Sequence, residues 1–143
     1  MKYCFSIALT FILLSCSSDD TKSEAHHEGL LGKWKLIEQL ADPGDGSGTF
    51  NPVESDRTIE FFSDGTITVN GSLCYMSTEV ETNSSGTYEV TSDDTADTTF
   101  DGIIITDNCE LSELRIYFDL PLSGNLILWY PCIEGCGQKF KKI

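Results

Sequence analysis

Six cysteines, two adjacent histidines and 23 acidic residues are the groups of this 143-residue chain that could carry chemistry, and their spacing decides which. Cys4 and Cys16 stand in the N-terminal segment, and Cys74, Cys109, Cys132 and Cys136 in the remainder. Four thiolates can hold zinc, but zinc sites favour a two-residue gap between cysteines, and only "CIEGC" at 132–136 comes near it, with a gap of three. Were the chain exported, an even number of cysteines at this size would read instead as two disulfides, for which three connectivities exist. The pairing expected is Cys132 with Cys136 across a tight turn, and Cys74 with Cys109. His26 and His27 sit between Glu24 and Glu28 in the polar run "TKSEAHHE". Imidazoles suit Zn or Cu, yet histidines on an unstructured tether lack the packed neighbours that orient a ligand, so no metal is assigned to them.

The acids cluster at Asp42 and Asp45 and again at Asp93, Asp94, Asp97 and Asp101, which makes oxygen ligands for calcium available. Neither loop follows the Asp-x-Asp-x-Asp-Gly pattern with a distal glutamate, and solvated acidic loops are the expectation. Catalysis finds little footing. Both histidines precede the folded domain, so it has none to serve as a general base, and its cysteines are expected to be oxidised. Some pair of carboxylates is inevitable among so many acids, which removes specificity from a glycosidase-like reading. Gly46 and Gly48 in "GDGSG" lack the lysine and helix of a phosphate loop. No catalytic residue and no cofactor are expected.

Cys16 has a different use. Lys2 is followed by the apolar stretch Phe5 to Leu14, the length of a secretory leader and well short of the roughly 20 residues that span a bilayer. Leu13, Leu14 and Ser15 lead into Cys16 in a way that resembles the bacterial lipobox, which implies cleavage before Cys16 and its acylation. One acyl chain binds a membrane only marginally, whereas two or more anchor stably. Ser17, Ser18, Asp19 and Asp20 resemble the acidic export signal of surface lipoproteins in the Bacteroidetes. The expected organisation is a leader at 1–15, the acylated cysteine and a tether at 16–31, and one domain at 32–143. The expected location is the outer membrane, facing the periplasm or the surface.

With 9 basic residues the formal net charge is −14, and loss of Lys2 makes it one unit more negative. Nucleic acid is therefore excluded as a partner, while cations and basic proteins would be drawn in.

From Gly32 onward the chain offers short β-branched and aromatic runs, with turn residues between them and no sustained helical period. They are 33–41, 57–63, 66–70, 87–91, 102–106, 113–120, 125–130 and 138–143. In "ELRIYFDL", Leu114, Ile116, Phe118 and Leu120 share one face while Arg115, Tyr117 and Asp119 share the other, as in an antiparallel sheet with one wet side. "NLILWYP" and "GIIIT" are apolar on both phases, so they are central or covered outside. "SDGT" at 63–66 is a hairpin signal that predicts a tight primed turn and direct pairing of the second and third strands. Long polar loops are expected at 42–56 and 92–102. Eight strands without helices predict an all-β fold, an antiparallel up-and-down barrel, because closure removes exposed edges.

"GKWKL", Gly32 to Leu36, opens the first strand where lipocalins carry a Gly-x-Trp motif whose tryptophan closes the barrel floor. With the strand count, the lipoprotein-like start and "PCIEGCGQKF" near the end, the chain resembles the small lipocalin-like lipoproteins of the Bacteroidetes. That resemblance implies a lipocalin-like barrel. The usual Thr-Asp-Tyr motif is replaced at its nearest match by Thr106, Asp107 and Asn108, and the arginine that stacks on the floor tryptophan has only Lys139, Lys141 or Lys142 to substitute for it.

If Trp34 points inward, Leu36 and Glu38 follow, and Phe61, Tyr88, Ile116, Phe118 and Phe140 join them as pocket or core, with Ile59, Ile67, Val69 and Val90 alongside. An eight-stranded barrel is just wide enough to be filled by side chains or to hold one small ligand. The leading functional expectation is a membrane-anchored, non-enzymatic lipocalin-like module holding a small apolar ligand at the barrel mouth. The alternative is a protein-interaction module, an inhibitor or adaptor that meets a basic partner through its acidic loops.

Overall fold

Strands form where β-branched and aromatic residues alternate with polar ones, and they end at glycine, proline and aspartate. The computed structural model describes residues 29–91, 100–107, 109–110 and 114–143. The leader at 1–15, Cys16, His26 and His27, Asp93, Asp94 and Asp97, Asn108 and Glu113 lie outside the described residues. Nine strands are present among the described residues: β1 (Gly32–Ala41), β2 (Asn51–Pro52), β3 (Thr58–Phe61), β4 (Thr66–Val69), β5 (Ser84–Val90), β6 (Gly102–Thr106), β7 (Arg115–Asp119), β8 (Asn125–Trp129) and β9 (Cys136–Lys142). Each of the eight expected runs is a strand.

All pairings are antiparallel, and from β3 to β9 each strand pairs with the next. β1 pairs with β3 on one side and with β9 on the other, from Trp34↔Lys142 to Ala41↔Cys136, so eight strands close into a meander barrel without a free edge. β2 lies inside the expected 42–56 loop and pairs with β1 at Glu38↔Pro52 and Gln39↔Asn51, beyond the end of β3.

The hairpin at 62–66 differs in type from the expectation. Gly65 donates its N–H to the Phe62 carbonyl at 3.2 Å and Phe62 N–H reaches the Thr66 carbonyl at 3.0 Å, which closes a loop of Ser63, Asp64 and Gly65. Gly65 has φ +84°, the left-handed glycine of a three-residue hairpin rather than a two-residue primed turn. Asp64 Oδ1 accepts from the Thr66 N–H at 3.0 Å and its hydroxyl at 2.6 Å.

The barrel interior is packed with side chains. Trp34, Leu36, Phe61, Tyr88, Ile116, Phe118 and Phe140 are all buried in one cluster with Ile59, Ile67, Ile104, Leu126 and Leu128. Phe61 meets Tyr88 edge-on at 5.1 Å between ring centroids and Phe118 at 5.9 Å, so aromatic rings fill the middle of the barrel. Trp34 sits at the floor end, its indole N–H donating to the Leu30 carbonyl at 2.8 Å. Lys142 takes the place expected for an arginine: its Nζ lies 5.3 Å from the Trp34 ring centroid and donates to the Gly29 carbonyl at 2.9 Å. Lys139 points elsewhere, over Phe50 at 4.4 Å.

Glu38 corrects the simple alternation. The register between β1 and β9 runs Leu36↔Phe140 and then Glu38↔Lys139, a bulge that inserts Ile37. One extra residue reverses the faces of everything after it. Glu38 therefore ion-pairs with Lys139 on the outer wall and leaves the interior, while Gln39 turns inward opposite Gln138. The outward apolar residues of β8 are covered, as "NLILWYP" suggested, by the 42–56 loop: Phe50 packs edge-on against Trp129 at 5.9 Å.

Candidate functional site

The floor end of the barrel carries the β3–β4 and β7–β8 turns, and the mouth is framed by the segments 42–57, 70–83 and 131–135 together with Cys109. Segment 70–83 is polar in sequence, yet it folds over the mouth. Leu73 is wholly buried in the core and Met76 packs against it. The Leu73 N–H donates to Ser84 Oγ at 3.1 Å, and Ser55 Oγ donates to the Thr78 carbonyl at 2.7 Å. At Gly71 an added Cβ would stand 2.6 Å from the Glu79 carbonyl oxygen and 3.0 Å from Arg57 Nη1, so the segment doubles back too tightly for a side chain there.

Arg57 holds this cover from below. It precedes β3 and shares the inward face of Ile59 and Phe61, with no exposed surface. Its Nη1 donates to the Ser77 carbonyl at 2.9 Å, and its Nη2 donates to the Ser72 carbonyl and, at 3.2 Å, to the Tyr130 hydroxyl. Tyr130 OH donates to Gln138 Oε1 at 3.2 Å, and Gln138 Nε2 donates to the Ser77 carbonyl at 2.7 Å and to Gln39 Oε1 at 3.0 Å. Burial pushes the Tyr130 hydroxyl above its ordinary pKa, with the Arg57 charge pulling the other way. Two features make this network unusual. Among the described residues no carboxylate pairs with Arg57, and its Nε is buried without a hydrogen-bond partner. A buried charge is ordinarily paired, and a buried donor ordinarily bonded.

Beside the network lies a hollow of about 170 Å³ lined by Cys74, Tyr75, Met76, Tyr130, Pro131, Cys132 and Cys136. Its walls are mostly apolar, and Tyr130, whose hydroxyl accepts from Arg57, is one of its lining residues. A larger groove of about 350 Å³ runs over Lys33, Glu60, Thr68 and Asn70. Lys33 and Glu60 alternate with the inward Trp34 and Ile59, so that groove is a polar trough on the outer wall. The mouth is therefore the better candidate. Both disulfides lie there: Cys74 is joined to Cys109, with Cα atoms 5.4 Å apart, and Cys132 to Cys136 at 6.2 Å. The first ties the cover to Cys109, which follows β6.

A family model for the lipocalin-like domain matches residues 30–117. The chain belongs to the lipocalin-like domain family. Neither the curated proteins nor the solved structures compared with it gave a match. The matched span runs from the floor residue Leu30 through β1 to Tyr117 in β7, so it includes the Gly-x-Trp strand, Arg57 and the cover, while β8 and β9 with Tyr130 and Gln138 follow it.

Within this lipocalin-like domain the inward residues expected from the sequence form the filled interior, and Glu38 does not join them. Arg57, Tyr130, Gln138 and Gln39 lie outside the set expected from the sequence. In "RTIEF" Arg57 falls in phase with Ile59 and Phe61, Gln138 in phase with Phe140, and Tyr130 in phase with Leu128. A charge on the apolar phase of a strand was the available signal. Gln39 gave none, because the bulge that turns it inward follows from pairing with β9.

The acidic loop after β1 has an internal use for its first acid. Asp42 Oδ1 accepts backbone N–H bonds from Gly44 at 2.7 Å, Asp45 at 3.2 Å and Gly46 at 3.1 Å, and Oδ2 accepts from Gly48 at 2.8 Å. These bonds, that of Gly44 foremost, lower the Asp42 pKa below its ordinary 3.8. A lowered folded-state pKa means the loop's order is complete above 3.8 and is lost as pH falls through the lower value. The protection of the Gly44 and Gly48 amides, relative to the intrinsic exchange rate at each pH, is expected to hold from pH 7 to 4 and to fall below that, whereas Asp42→Asn abolishes the transition.

Proposed function

We propose that this chain is a membrane-anchored, non-enzymatic lipocalin-like binding protein that takes a small apolar ligand at the barrel mouth. The observation that carries the reading is the apolar hollow over a buried, incompletely satisfied polar network, above an interior already filled by Trp34, Phe61, Phe118 and Phe140. Ligand sites are apolar concavities with a few convergent polar groups, and the mouth has that composition. Methyl and amide NMR of the full chain tests the location. A ligand at the mouth moves the signals of Tyr75, Met76 and Tyr130 and leaves those of Trp34 and Leu36 in place, whereas shifts centred on Trp34 would contradict it.

Anchoring rests on the apolar run ending at Leu13-Leu14-Ser15-Cys16, which supports attachment to the outer membrane through an acylated Cys16. In fractionated cells the wild type is expected in the membrane pellet and Cys16→Ala in the soluble fraction without acyl mass. A Cys16→Ala form that stayed in the pellet would end the anchor reading.

The filled interior favours a second reading as well, in which the acidic, disulfide-braced loops meet a basic protein. Association weakened steeply by salt and unaffected by occupancy of the mouth would favour it.

A further inference from the structure

The buried charge at the mouth names the chemistry of the ligand, granted the reading of the mouth as a binding site. We propose that Arg57 receives the head of a monocarboxylate with a short apolar tail, the tail lying in the hollow beside Met76 and Tyr130. Arg57 is wholly buried and faces only neutral acceptors, the Ser72 and Ser77 carbonyls and the Tyr130 hydroxyl. Neutral oxygens satisfy hydrogens but do not cancel a charge, and a buried ion lacking a counter-charge is costly. Its Nε adds a donor with no acceptor. A carboxylate supplies both missing elements, a negative charge and two oxygens in the geometry that a guanidinium fork matches.

The remaining surroundings narrow the class. Arg57 is the single charged side chain in the buried core of the described residues, so one negative charge is matched there and a second would be left without a partner. Tyr130 stays a neutral phenol, able to turn its O–H from Gln138 toward an entering oxygen, and both of its bonds are long at 3.2 Å. The hollow that Tyr130 lines is walled also by Met76, Pro131 and the cysteines, which suits methylene groups. Entry requires the cover to yield the Ser72 and Ser77 carbonyls to water.

The test compares octanoate with octan-1-ol, which share a tail and differ in the head. Each is titrated by calorimetry at pH 7 into the full chain carrying Cys16→Ala, which takes the proposed lipid out of the measurement. Octanoate is expected to bind roughly tenfold tighter or better, the size of one charge-assisted bond. In Arg57→Met the two are expected to bind alike. Should Arg57→Met not fold, Tyr130→Phe serves: it weakens octanoate and leaves octan-1-ol unchanged. Equal binding of both probes to the parent protein overturns the carboxylate inference and leaves the mouth reading standing. Binding of neither overturns both. A preference for octanoate that survives Arg57→Met, or a Tyr130→Phe form that treats the probes as the parent does, removes the head group from this site.

Discussion

Arg57→Ala is expected to lower the stability of the domain by about 3 kcal/mol, the combined effect of a cavity and a stranded half-buried acceptor. The losses are unequal across the network. Ser77 keeps the bond from Gln138 and Tyr130 keeps Gln138 as its acceptor, whereas the Ser72 carbonyl loses the guanidinium bond described above. The cover should loosen first, so amide exchange in 70–83 rises more than in β5 or β6. Arg57→Met is the informative partner. It keeps most of the volume and removes the uncompensated charge, so its cost is expected to be about 1 kcal/mol or less. Urea denaturation of both variants measures the difference. A loss under about 0.5 kcal/mol for Arg57→Ala would show that the cover is held by Leu73 and the disulfide alone.

The second large effect separates the two disulfides. Cys74 and Cys109 are 35 residues apart, and restoring that loop's freedom to the unfolded chain costs about 4 kcal/mol in the chain-entropy picture. Cys132 and Cys136 are 4 apart, and the same relation gives about 2 kcal/mol. Paired alanine replacements, Cys74→Ala with Cys109→Ala and Cys132→Ala with Cys136→Ala, are therefore expected to differ about twofold in their loss of unfolding free energy. The first pair should also free the cover over the mouth, because it cuts the covalent tie between 70–83 and Cys109. Equal losses would mean that residual structure in the unfolded chain, and not loop length, sets the effect.

Local pattern was enough for the barrel and not enough for the mouth. Strict alternation in "ELRIYFDL" placed Ile116 and Phe118 inside and Arg115 and Tyr117 outside, since side-chain direction in a strand depends only on parity. Closure followed from the need to remove edges. Parity is lost where pairing inserts a residue, and so Glu38 was expected inside although the bulge at Ile37 turns it out to Lys139. β2 has two residues and no period of its own; it exists because the β1 edge beyond β3 needs a partner. The cover was the largest gap. "GSLCYMSTEVETN" contains isolated apolar residues among polar ones, and the burial of Leu73 depends on Arg57 and Cys109, which are distant in sequence. Arg57 itself was visible as a charge on the apolar phase, and only the structure reveals that its partners are carbonyls.

The central claim, a small ligand held at the mouth of a filled lipocalin-like barrel, is most directly tested by mass. The full chain, produced in an oxidising periplasm, is recorded under native conditions and again after denaturation, with and without reductant. The account predicts a non-covalent mass of a few hundred daltons or less that leaves on denaturation, and a gain of four hydrogens on reduction for the two disulfides. A native mass equal to the denatured mass, in a protein that also fails to take up added octanoate or octan-1-ol, would contradict it and turn the search to a basic protein partner.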